Sequence, residues 1–145
     1  MKTVLIGSDH AGFELKRLLL QELAKLGHAV QDEGTDSGAS CDYAQIAHPL
    51  CEKALAGDCA GILICGTGLG MSMAANRHAG IRAAKCDLEL EARLARRHND
   101  ANILCLGARM IGAELALAIA VAFLETGFEG GRHLRRIGQI ELGSL

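Results

Sequence analysis

Gly61-Ile62-Leu63-Ile64-Cys65-Gly66-Thr67-Gly68-Leu69-Gly70 sets the architecture of this chain. A short apolar run of isoleucine and leucine, closed by glycines, fits a strand buried on both faces. The glycine-dense segment behind it opens onto Leu69–Arg77, where the pattern predicts a helix. A strand that passes through a glycine loop into a helix is the building unit of α/β proteins.

On either side of it, segments of the same kind stand at Thr3–Gly7, His28–Asp32, Ile81–Lys85 and Asn102–Leu106. Helical patterns separate them: Phe13–Leu26 before Gly27, Ala47–Leu55, and Leu88–Arg97 after the candidate cap Asp87. Pro49 either opens the second of these helices at its first turn or kinks it. A last helical pair, Ala113–Glu125 and Arg132–Ile140, is divided by the glycine-rich turn Gly127–Gly131. Strict alternation implies parallel strands, because a right-handed crossover needs a helix-length return path. The prediction is a three-layer α/β/α fold with a five-stranded parallel sheet, doubly wound, plus a C-terminal helical arm, in a single domain over residues 1–145.

Composition agrees and narrows the function. A chain of 145 residues can bury about two-thirds of its unfolded surface in one core. Half of it is apolar, yet it has three Phe, one Tyr and no Trp, so Ala, Val, Ile and Leu must build that core. The net charge of −2, without a long basic run, excludes the phosphate-neutralising surface that nucleic acid requires. The longest apolar run, Leu115–Leu124, stops at about ten residues, too short to span a membrane. The apolar stretch before Asp9 and His10 is too short for a signal peptide, so the expected location is the cytoplasm. Cysteines at 41, 51, 59, 65, 86 and 105 form no C-x-x-C pair, which excludes a zinc ribbon or a thioredoxin-like motif.

In open α/β sheets, ligands bind beyond the carboxyl ends of the strands. Those ends carry Gly7-Ser8-Asp9-His10-Ala11-Gly12, Cys65 through Gly70, and Leu106-Gly107-Ala108-Arg109. Gly66, Gly68 and Gly70 let backbone N–H groups approach an oxyanion or phosphate, although a tight turn without ligand has the same composition. The dinucleotide fingerprint is not matched, because the third glycine comes one residue early; Asp87 only mimics the ribose-binding acid. Cys65 stands where a helix start favours a thiolate, and hence a base, while the alternative of a buried inert thiol is accepted for the other cysteines. His98, in Arg96-Arg97-His98-Asn99-Asp100, is an acid–base group or an exposed helix-end residue. Arg132 and Arg136 share a helix face that could clamp a phosphate or simply be solvated, and His133 and Arg135 add to the charge.

Set together, the segments 7–13, Asp42-Tyr43, 64–70, Ala74-Ala75-Asn76-Arg77, Gly80-Ile81-Arg82, Arg97-His98-Asn99-Asp100 and Glu129-Gly130-Gly131-Arg132-His133 resemble the type B ribose-5-phosphate isomerase family. That family also holds galactose-6-phosphate and allose-6-phosphate isomerases, and the resemblance runs from Val4 to Arg136. It implies a metal-independent, cofactor-free aldose–ketose isomerase, a homodimer or homotetramer with active sites shared between subunits. It implies Cys65 as the proton-abstracting base, His98 with Thr67 as the ring-opening group, and Gly66 through Gly70, with Leu69, as donors to the enediolate. Asp9, Tyr43 and Asn99 would contact hydroxyls, and His10, Arg109, Arg132 and Arg136 would hold the phosphate. D-ribose 5-phosphate is the first expectation. Ala44 replaces the family's usual proline after Asp-Tyr, and the stretch Asp36–Cys41 is small and polar, which leaves six-carbon sugar phosphates as an alternative. A non-catalytic phosphate- or nucleotide-binding module would use the glycines and arginines without needing Cys65 or His98.

Overall fold

Side chains alternate along the central strands and so create two apolar faces. Val4, Ile6, Ile62, Ile64, Leu104 and Leu106 join one buried cluster, while Leu5, Leu63, Cys65, Ile103 and Cys105 join the other. The computed structural model describes residues 2–143. Its strands are β1 (Val4–Ser8), β2 (Val30–Asp32), β3 (Ala60–Cys65), β4 (Ala83–Lys85) and β5 (Ile103–Gly107). They form one parallel sheet in the order β2-β1-β3-β5-β4. The helices are α1 (Phe13–Lys25), α2 (Tyr43–Gly57), α3 (Leu69–Ala75), α4 (Glu89–Asn99), α5 (Ala113–Glu125) and α6 (Arg132–Gly138). α1, α4 and α5 cover the first face and α2 and α3 the second, which is the predicted doubly wound three-layer architecture.

Strand order fixes where a crevice can open. The chain leaves β1 toward β2 on one side and returns to β3 on the other, so the tips of β1 and β3 flank the reversal of winding. Register places Ser8 opposite Ile64 and Cys65 opposite Gly107, which lines up the three central tips.

Several boundaries differ from expectation. α2 begins at Tyr43, four residues before Ala47, so Pro49 lies inside it and does not open it; the ring faces solvent, where one missing N–H is tolerated. α3 is a seven-residue helix ending at Ala75, because Asn76 turns to hydrogen-bond both backbone groups of Ala83 on the edge strand β4. Asp87 is not the cap of α4: Leu88 takes that position, the Asp87 carboxylate pairs with Lys85 at 2.6 Å, and Glu91 reaches back to the Asp87 N–H. The C-terminal arm is present. Glu129 N–H donates to Arg97 O, and Gly80 N–H donates to Glu141 Oε1, so the arm runs along the edge where the strands begin.

Lys16 on α1 is fully buried, and its ammonium donates to Asp32 Oδ1 and Thr35 O, both at 2.6 Å. A buried charge needs partners of this kind. They tie the connection between β2 and α2 to the body of the domain, close to the β1 tip, where Ser8 and Gly34–Thr35 exchange backbone hydrogen bonds.

Candidate active site

At the β1 tip the chain turns through Asp9 and a short 3-10 turn, His10–Gly12. Asp9 is 6% exposed, and its Oδ1 accepts from the N–H groups of Ala11 and Gly12 at 3.0 and 3.3 Å. An added Cβ on Gly12 would sit 2.6 Å from the Ile64 side chain, so glycine is what lets this turn close against β3. His10 Nδ1 accepts from the Cys41 N–H at 3.2 Å. With that nitrogen committed as acceptor, the neutral ring carries its proton on Nε2, where it is a donor.

At the β3 tip, Cys65 is 5% exposed, and its sulfur accepts the Gly68 N–H at 3.2 Å. The residue packs on the apolar cluster of Leu63 and Met71 while its sulfur turns to the glycine loop. Three further thiols, Cys51, Cys86 and Cys105, are buried. Burial pushes Cys51 up to about 11 and Cys86 up to about 12, and it drives Cys105 well above the ordinary range. These three are protonated, unreactive thiols at neutral pH, as expected of them.

The loop itself is held from both sides. Ala108 and Arg109 N–H groups donate to Cys65 O and Gly66 O at 2.8 and 2.9 Å, and Thr67 Oγ1 accepts from Leu69 N–H. Gly68 has φ +81°, the left-handed region that glycine enters without penalty. The Arg109 guanidinium lies against Gly66, 3.2 Å from where a Cβ would be. The Tyr43 ring lies on Gly70, with ring carbons 2.6 Å from that position. Asp9, His10, Tyr43, Cys65 through Gly70 and Arg109 thus stand together at the carboxyl edge of the sheet.

His98, Asn99, Arg132 and Arg136 do not join them within one chain. α4 ends just before β5 begins, so His98 and Asn99 lie at the opposite edge, with α6 beside them. A five-residue strand separates the edges by about 16 Å. The His98 ring stacks on His133, with centroids 4.3 Å apart and planes within 12° of parallel. His98, Glu129 and His133 hold three metal-type donors within 4.8 Å of one another. Parallel rings keep their lone pairs in separate planes, so both cannot address one ion without a rotation. His133, which the sequence offered only as added charge, is 6% exposed; only its packing reveals it. An open groove of about 610 Å³ between α1 and α5 is lined by Glu14, Arg17, Gln21 and Glu22 among apolar residues, with no cysteine or histidine.

The parallel sheet with its glycine loop at the tip of β3 defines a doubly wound α/β protein of the kind that binds small ligands at this edge, and similarity to known proteins sharpens this. The Ribose/Galactose Isomerase family matches residues 4–140, and the chain belongs to that family. It is 45% identical over 141 residues to ribose-5-phosphate isomerase B of Escherichia coli, covering 97% of this chain and 95% of that one. The solved ribose 5-phosphate isomerase of Thermotoga maritima superposes with a TM-score of 0.93 at 53% identity, covering 96% and 97% of the two chains. The Mycoplasma genitalium ribose-5-phosphate isomerase B, solved with bound ribulose-5-phosphate, gives 0.92 at 40% identity over 95% and 93%.

Proposed function

We propose that this enzyme interconverts D-ribose 5-phosphate and D-ribulose 5-phosphate through an enediolate, with Cys65 as the base. The observation that carries the reading is the Cys65 sulfur at the reversal of winding, bonded to the Gly68 N–H, in a chain of this isomerase family. In the open-chain sugar, the Cys65 thiolate takes the C2 proton and charge moves onto O1. The thiol returns the proton to C1, while a hydroxyl proton passes from O2 to O1. N–H groups of the glycine loop stabilise the enediolate, and His10 and Arg109 bind the phosphate, whose remote binding energy orients C1 and C2.

His98 opens the sugar ring, Asn99 contacts a hydroxyl, and Arg132 and Arg136 complete the phosphate clamp. Because these four lie at the far edge, they serve the crevice of a second copy of the chain. Leu69, Met73, Leu88 and Met110 are each half or more exposed around the tips of β3, β4 and β5, an apolar surface suited to that association. Free cysteines at all six positions fit a reducing cytosol, and among the described residues no helix is long and apolar enough to cross a membrane.

Chelator-treated protein incubated separately with ribose, allose and galactose phosphates tests this reading. Ketose is expected from the pentose; absence of ketose from all three would end the proposal. Cys65→Ala should lower turnover by about 10²–10⁴-fold and abolish C2 proton exchange with solvent, while phosphate binding persists. Retained exchange would assign the base to another residue.

A further inference from the structure

His133 has an environment that phosphate binding does not call for. It is 6% exposed on a helix whose Arg132, Leu134, Arg135 and Arg136 are all exposed. Its ring lies flat on His98, 4.3 Å between centroids and 12° from parallel. Its Nε2 is buried without a hydrogen-bond partner, with the Glu129 carboxylate 3.6 Å away. The segment carrying it is pinned to α4 by the hydrogen bond from Glu129 N–H to Arg97 O, so the stack is built by two elements held together independently of it.

Stacking constrains proton transfer. The torsion that turns an imidazole about its Cβ–Cγ bond is broad, and His98 is half-buried near the end of α4. A proton is passed in the plane of the ring, and hydrogen bonds weaken steeply away from alignment. Opening a furanose breaks the bond from C1 to the ring oxygen, which takes up a proton. The O1 hydroxyl loses its proton as C1=O1 forms. The group that delivers to the ring oxygen must hold its N–H in one direction.

We propose that His133 is the positioning residue for His98: its buried ring, lying flat on His98, fixes the plane in which His98 exchanges a proton with the sugar. This rests on the reading of His98 as the ring-opening group. Two protonated imidazoles would repel at this separation. His98, Arg132 and Arg136 face His133 with positive or potentially positive charge, and Glu129 opposes them. Burial first, then these neighbours, hold His133 below the ordinary histidine range.

The test compares His133→Ala, His133→Phe and His98→Ala in the full chain, with folding checked by thermal midpoint. Two rates are read: turnover of ribose 5-phosphate, which starts as a ring, and solvent exchange of the C1 proton of ribulose 5-phosphate. A ketopentose phosphorylated at C5 has no hydroxyl with which to close a furanose, so that exchange needs no ring opening. His133→Ala is expected to lower kcat on the aldose roughly ten-fold with KM nearly unchanged, and to leave ketose exchange within about two-fold. His133→Phe, which restores a flat ring, should recover most of the loss. Exchange falling in step with turnover, or full turnover in His133→Ala beside an impaired His98→Ala, would overturn the proposal. Unchanged turnover in His98→Ala would instead remove the role of His98 on which it stands.

Discussion

Gly70 shows how closely one side chain can constrain another in this crevice. A Cβ there would stand 2.6 Å from both Cε1 and Cζ of Tyr43, and that ring is 43% exposed, so it can swing aside. Gly70→Ala should therefore cost less than about 1 kcal/mol of stability, because surface rearrangements are cheap. Turnover should fall about ten-fold if Tyr43 is displaced from a hydroxyl contact. A double-mutant cycle checks the cause: in a Tyr43→Ala background, Gly70→Ala should add almost nothing. Additive losses would mean that Gly70 acts through its own N–H. From sequence, Gly70 was legible as one of three loop glycines, but its contact with Tyr43, 27 positions earlier, belongs to the way α2 and α3 pack.

The packing of α4, α5 and α6 carries a dependence on pH. Arg96 at the end of α4 donates to Thr126 O, Asp100 Oδ1 and Ala101 O, which joins α4 to the start of the arm. Within the arm, His133 binds a proton less readily folded than unfolded, mainly through burial and then through Arg132, His98 and Arg136, against the pull of Glu129. Between its lowered folded value and the ordinary value near ~6.5, the unfolded chain holds more protons, so stability rises with pH there. This contribution is intact above ~6.5 and is lost as pH falls toward the folded value. The thermal midpoint should drop between pH 7.5 and pH 5.5, and less so in His133→Phe. Equal slopes in the two proteins would mean that His133 does not titrate differently on unfolding.

On the proposed reading, one copy of the chain holds two half-sites at opposite edges of its sheet. If two copies complete each other, Cys65→Ala and His98→Ala proteins, each inactive alone, should regain activity when mixed and allowed to exchange subunits. Half the dimers would be mixed, each with one intact crevice, so about a quarter of native activity should return. Continued inactivity after exchange has been confirmed by mass would mean that the Cys65 and His98 of one active site come from the same chain.

Alternating apolar strands and helices, closed by glycines and polar caps, were enough to define a parallel sheet, the edge where chemistry belongs, and the residues Asp9, His10 and Cys65 on it. Those signals are local: a periodicity of two or 3.6, and a turn that only certain residues can make. The length of α3, the true cap of α4 and the interior place of Pro49 were not legible, since contacts such as Asn76 with Ala83 and Lys85 with Asp87 decide them. Nor could the chain alone reveal that His98 turns away from Cys65, or that His133 is buried against it. Those facts depend on which strand lies next to which and on where the arm folds back, and burial of apolar surface settles both only when the whole sheet has formed.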